Sequence, residues 1–167
     1  MYKNFLTLTW LLWSACLLTG CQEKSSFKAS DDLAALQSIV NLDLPINAIR
    51  WEVFATPEDR GGSPGPTDYI TLIAEIKPTS FNRSFNKPNT GVVSIAPNAV
   101  RPWLSSASRA FLAKHGNSQI TFTTGRNCYP LEATLVKTGK VVKGFACENS
   151  GRLLVYLTLF SFTEQMS

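Results

Sequence analysis

Arg152-Leu153-Leu154-Val155-Tyr156-Leu157-Thr158-Leu159-Phe160-Ser161-Phe162 carries large apolar side chains at both parities. Leu153, Val155, Leu157 and Leu159 share one parity; Leu154, Tyr156 and Phe160 share the other. Successive side chains of a strand point to opposite faces. A strand with one wet face therefore alternates, and this one does not. It requires cover on both faces and belongs at the centre of a sheet or beneath a helix. Working outward, Asn149-Ser150-Gly151 and Thr138-Gly139 are turn signals that separate this strand from apolar segments at 141–147 and 131–137. Together with 119–123 they read as an antiparallel meander.

Further upstream the period is two. Ile49, Trp51 and Val53 alternate with Arg50 and Glu52, and Ile70, Leu72, Ala74 and Ile76 alternate with Thr71 and Glu75. Both segments read as half-buried strands. A further short strand is expected at 91–96. Two helices are expected. Ser30-Asp31-Asp32 opens the first, with Leu33, Leu36, Ile39 and Val40 on one face, and it must end before Leu44-Pro45. Arg101-Pro102-Trp103 opens the second with proline in the first turn, followed by Leu104, Ala107 and Phe111 as its apolar stripe. Lys114-His115-Gly116 closes it, with Gly116 expected in the left-handed region. The expected class is α+β: an antiparallel sheet of about five to seven strands with one or two packed helices.

At 167 residues, 44% hydrophobic and 17% charged, the chain is too apolar to remain disordered and too short for two sizeable cores. Its single histidine excludes His-rich metal centres and leaves one choice for a Ser-His-Asp triad. His115 sits at a helix end and reads as a cap. Phosphate-loop, dinucleotide-binding and metalloprotease motifs are missing. Glu52, Glu58, Asp59, Asp68 and Glu75 are the carboxylates from which a hydrolase site would have to be built, and they flank a hairpin where acidic side chains are ordinarily solvated. The expectation is no catalytic machinery, no metal and no cofactor.

The amino-terminal residues carry an address. Lys3 precedes an apolar run of 15 residues, 5–19, too short to span a hydrocarbon core of about 30 Å. It ends in Leu18-Thr19-Gly20-Cys21. This resembles the lipobox of bacterial lipoprotein precursors. The resemblance implies cleavage before Cys21 and acylation of that residue. Residues 1–20 are then a lipoprotein signal peptide, 21–30 a lipidated tether and 31–167 a single globular periplasmic domain. Gln22 after the lipidated cysteine implies, by the same resemblance, the outer membrane, with the domain facing the periplasm. Two acyl chains or more anchor a small domain durably. Cys16 leaves with the signal peptide and Cys21 takes lipid. Cys128 and Cys147 then remain for one disulfide in an oxidising compartment.

Charge is unevenly distributed. Residues 21–76 hold 4 basic and 9 acidic side chains; residues 77–152 hold 11 basic and 2 acidic. Either the halves neutralise each other across the sheet, or Arg83, Lys87, Arg101, Arg109, Lys114, Arg126, Lys137, Lys140 and Lys143 form a basic face for an acidic partner. Nucleic acid is not an expected partner outside the cytoplasm. The Glu58-Asp59-Arg60-Gly61-Gly62-Ser63-Pro64-Gly65-Pro66 segment is long for a hairpin loop and stiffened by proline. With Asp68, Tyr69, Arg101 and Trp103 it forms the expected partner-binding set.

The stretch from Arg50-Trp51-Glu52-Val53-Phe54 through Gly65-Pro66-Thr67-Asp68-Tyr69 resembles segments of small lipoproteins that act as immunity partners of type VI secretion phospholipase effectors. The resemblance implies a lipid-anchored periplasmic inhibitor that blocks the active site of an incoming lipase or other hydrolase. The competing expectation is a structural or assembly lipoprotein bound to an envelope polymer or a resident envelope complex.

Overall fold

A computed structural model describes residues 29–56, 69–80, 90–123 and 127–161. The chain runs α1 (Leu33–Ile39), β1 (Val40–Asn41), β2 (Ile46–Thr56), β3 (Tyr69–Pro78), β4 (Gly91–Ser94), α2 (Ser106–His115), β5 (Gln119–Phe122), β6 (Cys128–Leu135), β7 (Val141–Asn149) and β8 (Arg152–Ser161). Six strands form one antiparallel sheet in the order β1-β6-β7-β8-β3-β2, and β4 and β5 pair as a separate ribbon. The class is α+β, as expected, with eight strands among the described residues once the ribbon is included.

β8 lies inside the sheet between β7 and β3, where its two apolar faces require it. Leu153, Val155 and Leu157 pack with Leu36 and Val40 from the α1 end of the chain. Leu154 and Tyr156 pack with Val93, Leu112 and Phe122 from the β4–α2–β5 layer. The sheet is thus the middle of three layers. Phe145 is the hub of the second core, stacked 4.6 Å from Phe122 and 5.2 Å from Tyr156. The Tyr156 hydroxyl accepts from the Ala96 N–H at 2.8 Å, which pins the outer layer to the sheet.

α1 begins where the sequence places it. The Asp32 carboxylate accepts from the Ala35 N–H at 3.0 Å, and the Trp51 indole donates to the Asp32 carbonyl at 3.0 Å. The helix ends at Ile39 because Val40 leaves to pair with Leu135 at the far edge of the sheet.

Four expectations are corrected. β3 is not half-buried: Thr71, Ile73 and Glu75 are as enclosed as Leu72, Ala74 and Ile76, because the β4–α2–β5 layer covers that face. The strand at Gln119 does not join the meander; it pairs with β4, and the meander is β6–β7–β8. α2 starts at Ser106 rather than at the Arg101-Pro102-Trp103 turn, because Arg101 is drawn onto the sheet and Ser105 serves as N-cap. At its other end Gly116 has φ −57°, and the left-handed residue is Asn117, φ 59°. The Asn117 N–H turns away from the helix to the Ile95 carbonyl, 2.9 Å, which moves the reversal one residue on.

The β7–β8 turn has positive φ at both central residues, Ser150 at 47° and Gly151 at 76°, the geometry of a two-residue hairpin. Pro130 lies on β6, which among the described residues pairs on its outer side with just the two residues of β1. A proline there removes an unpaired donor from an edge and blunts strand addition.

Cys128 and Cys147 are directly opposed on β6 and β7, with Cα atoms 4.0 Å apart, and form the expected disulfide. It clamps the chain where it returns from the outer layer to the sheet. Cys128→Ser is expected to lower unfolding stability by about 3 kcal/mol in the chain-entropy picture. Urea unfolding of the two proteins at matched conditions measures this; an unchanged midpoint removes the bond from the stability account.

Tyr129 supplies a pH signature. Burial and the neighbouring Glu148 carboxylate push its phenol from 10.0 up to about 12. Above pH 10 the unfolded chain releases this proton while the folded chain keeps it. Stability is therefore full below pH 10 and declines between pH 10 and about 12. Tyr129→Phe should flatten that part of the alkaline decline. A variant with the parent's full alkaline slope would contradict the assignment. The buried Tyr156 phenol is also raised and is common to both proteins.

Candidate functional site

Two carboxylates enter the second core from the sheet. Glu75 is 5% exposed, on β3. Its Oε1 accepts from the Ser105 N–H at 2.9 Å and from the Ser108 hydroxyl at 2.6 Å. It therefore sits at the amino end of α2, where the unpaired N–H groups and helix dipole favour a negative charge. Its Oε2 lies 3.7 Å from the guanidinium of Arg152, itself 59% exposed. Ser105 also accepts from the Ser108 N–H through its hydroxyl, at 3.3 Å. One carboxylate thus fixes the start of α2 against the middle of the sheet.

Glu52, on β2, does the same for the turn before α2. Its Oε2 accepts from the Trp103 indole N–H at 2.8 Å, and its Oε1 lies 3.3 Å from Arg101 Nε. Arg101 is 2% exposed and lies 4.0 Å over the Phe54 ring. Burying such a pair is costly unless both partners are engaged. Here the carboxylate has an indole as well as a guanidinium, and the guanidinium has an aromatic face as well as a carboxylate.

The outer surface of this network is the candidate site. Trp103 is half-buried, held by Glu52, with the exposed Arg50 guanidinium 5.8 Å above its ring. Arg50 is registered opposite Glu75, to which Arg152 also turns. Trp and Arg on a rigid support are the residue types that carry binding energy at protein interfaces. Trp103 is held by its bond to Glu52, so less of its side-chain freedom remains to be lost on binding.

The structure treats the expected partner-binding residues differently. Trp103 is at this surface. Arg101 is beneath it, and any effect it has on a partner passes through Glu52 and Trp103. Tyr69 is half-buried at the far end of β3, opposite Thr56. There the Thr56 hydroxyl bonds Asn98 Oδ1 at 2.8 Å, which ties the hairpin base to the outer layer. Glu58, Asp59, Arg60, Asp68 and Cys21 lie outside the described residues. So do Arg83, Lys87 and Arg126 of the expected basic face. Arg109 and Lys114 are exposed on α2, and Lys137, Lys140 and Lys143 are exposed at the β6–β7 hairpin, so these cations are not gathered with Arg101. Glu52–Arg101 and Glu75–Arg152 are pairs of an acidic first-half residue with a basic second-half residue, which is neutralisation across the sheet at two positions. His115 lies against Phe111, ring centroids 4.9 Å apart, at the end of α2.

Sequence reasoning missed Arg50, Arg152, Ser105 and Ser108. The available signal was Glu52 and Glu75 themselves. Each interrupts a strand whose neighbours are apolar, and a carboxylate held there needs donors from elsewhere in the chain.

No protein-family model, curated protein or solved structure matches this chain. Among the described residues, no group of three or more His, Cys, Asp or Glu side chains is placed to hold a metal ion, and no helix is long and apolar enough to cross a membrane.

Proposed function

We propose that this chain is a lipid-anchored periplasmic binding module that inhibits a toxic envelope-targeting enzyme, with a phospholipase effector as the expected target. The observation that carries the reading is the Arg50–Trp103–Arg152 surface, an aromatic and two cations braced from beneath by Glu52 and Glu75. The disulfide and the lipobox at Leu18-Thr19-Gly20-Cys21 support the address. Such a surface favours a partner with an acidic or carbonyl-rich patch, and its charge accelerates encounter.

The test is a competition between sister cells. A host strain lacking the chain is grown in contact with the parent. The reading expects the deletion strain to be lost and to be rescued by the intact chain. An Arg50→Gln variant, altered at an exposed position and adding no charge opposite Glu75, should rescue poorly while folding normally. Equal survival of the deletion strain contradicts the inhibitor reading and leaves the structural or assembly lipoprotein in first place. Cys21→Ser should release the domain from the membrane fraction; if it remains there, the anchor has been misassigned.

A further inference from the structure

The β6–β7 hairpin tip reads Val136-Lys137-Thr138-Gly139-Lys140-Val141. Its two valines are among the most exposed large apolar side chains, 53% for Val136 and 51% for Val141. They are not loose. Val136 N–H donates to the Ile39 carbonyl at 3.0 Å, Leu135 N–H to the Lys140 carbonyl at 2.9 Å, and Gly139 N–H to the Leu135 carbonyl at 2.8 Å. Gly139 supplies the positive φ the turn requires, 68°. The backbone therefore holds the valines outward, with Lys137 and Lys140 between them. Lys143 follows on β7, opposite Glu132.

Chain direction adds a second, independent observation. Ser30 bridges Trp51 antiparallel to β2, so Ala29 and Ser30 run away from the end of the sheet where β2 stops at Thr56. Thr56 opposes Tyr69, and Tyr69 opposes Ser161 at the end of β8. Lys143 opposes Thr158 near that same end, which puts the β6–β7 tip there too. The first described residues thus run from the direction of the sheet end that carries the tip.

We infer that this tip is a second membrane contact, in which Val136 and Val141 rest at the surface of a bilayer rich in anionic headgroups and Lys137 and Lys140 meet the phosphates. For the shared membrane it rests on the lipid anchor proposed above; for its chemistry it rests on the tip alone. Lysine stems lie along apolar surface while their ammonium groups reach the headgroups. Each cation near an anionic leaflet contributes modestly, so the tip alone binds weakly. An anchor nine residues before Ser30 raises the tip's effective concentration at the surface and makes the contact persistent. The consequence is orientation: the domain stands with the hairpin bases of β2–β3 and β6–β7 toward the lipid.

The test uses the whole protein reconstituted with vesicles of phosphatidylcholine alone or mixed with phosphatidylglycerol. Flotation reads attachment, and brief acetylation followed by mass spectrometry reads each lysine. Lys137 and Lys140 should react at least about fivefold more slowly on the anionic vesicles than on the neutral ones, with Lys114 of α2 unchanged. High salt should remove the difference. A Val136→Ser/Val141→Ser variant should lose most of the protection. Equal rates on both vesicles, with the protein floating on both, overturn the proposal. So does protection that appears only when an envelope protein fraction is added, which would identify an acidic protein as the occupant. Failure of the anchor is separable: the protein then does not float with neutral vesicles, while a sound tip still protects Lys137 and Lys140 on anionic ones.

Discussion

Gly144→Ala is expected to abolish cooperative folding. Gly144 lies on β7 directly opposite Leu157 of β8, in the middle of the sheet. A Cβ at this position would strike the Tyr156 carbonyl oxygen, with the carbonyl carbon at 2.8 Å and the Leu157 Cα at 2.9 Å. These are main-chain atoms of the most enclosed strand, so no side-chain rotation relieves the overlap. Ordinary overpacking costs about 1–3 kcal/mol because side chains and backbone yield. Here β8 would have to move, and with it the Tyr156 hydroxyl that holds Ala96 and the outer layer. The expected loss exceeds about 3 kcal/mol, a large part of the roughly 5–15 kcal/mol typical of a domain. The control is Gly139→Ala, where a Cβ meets nothing within 4 Å and only the positive φ of 68° is strained. Circular dichroism and urea unfolding decide the matter. A Gly144→Ala protein that unfolds at the parent's midpoint contradicts the packing described.

The second large effect is at Arg101. Replacing it by leucine leaves Glu52 enclosed, with the Trp103 indole as its remaining donor among the described residues, and removes the guanidinium from the Phe54 face. Breaking one side of a buried ion pair costs about 3–5 kcal/mol, because the surviving charge stays desolvated. Arg101→Leu should fall in that range by urea unfolding. Glu52→Gln in the same background should recover part of the loss, since an amide oxygen still accepts from Trp103 without carrying charge. This non-additivity separates a charge effect from simple loss of packing. A single variant within about 1 kcal/mol of the parent would mean that the pair contributes little.

What was legible in the sequence follows physical range. The doubly apolar 152–162 segment placed β8 centrally because periodicity reports local burial. The helix start at Ser30-Asp31-Asp32 and the turns at Thr138-Gly139 and Asn149-Ser150-Gly151 are short-range chemistry and are readable for the same reason. The covered face of β3 was not, because its Thr71 and Glu75 look solvated until a ribbon and helix from residues 91–122 are laid over them. Nor was the pairing of β5 with β4: strands adjacent in sequence are the default, and a ten-residue helix separates these two. The network at Glu52 and Glu75 joins residues from 30 apart (Ser105 and Glu75) to 77 apart (Arg152 and Glu75) in sequence, beyond any local pattern. The same distance hid the structural use of Arg101, which composition alone counts as one more surface cation. Cys128–Cys147 was accessible by elimination, given the fates expected for Cys16 and Cys21.

The most direct measurement is crosslinked affinity capture of the whole lipidated protein from its host envelope, with mass spectrometry of the partners and a turnover assay on any enzyme recovered. One stoichiometric hydrolase is expected, crosslinked near Trp103 or Arg50, with its turnover extinguished at about one equivalent of this protein. Recovery of envelope polymer or resident assembly proteins alone, or a hydrolase whose turnover is unchanged, would contradict it.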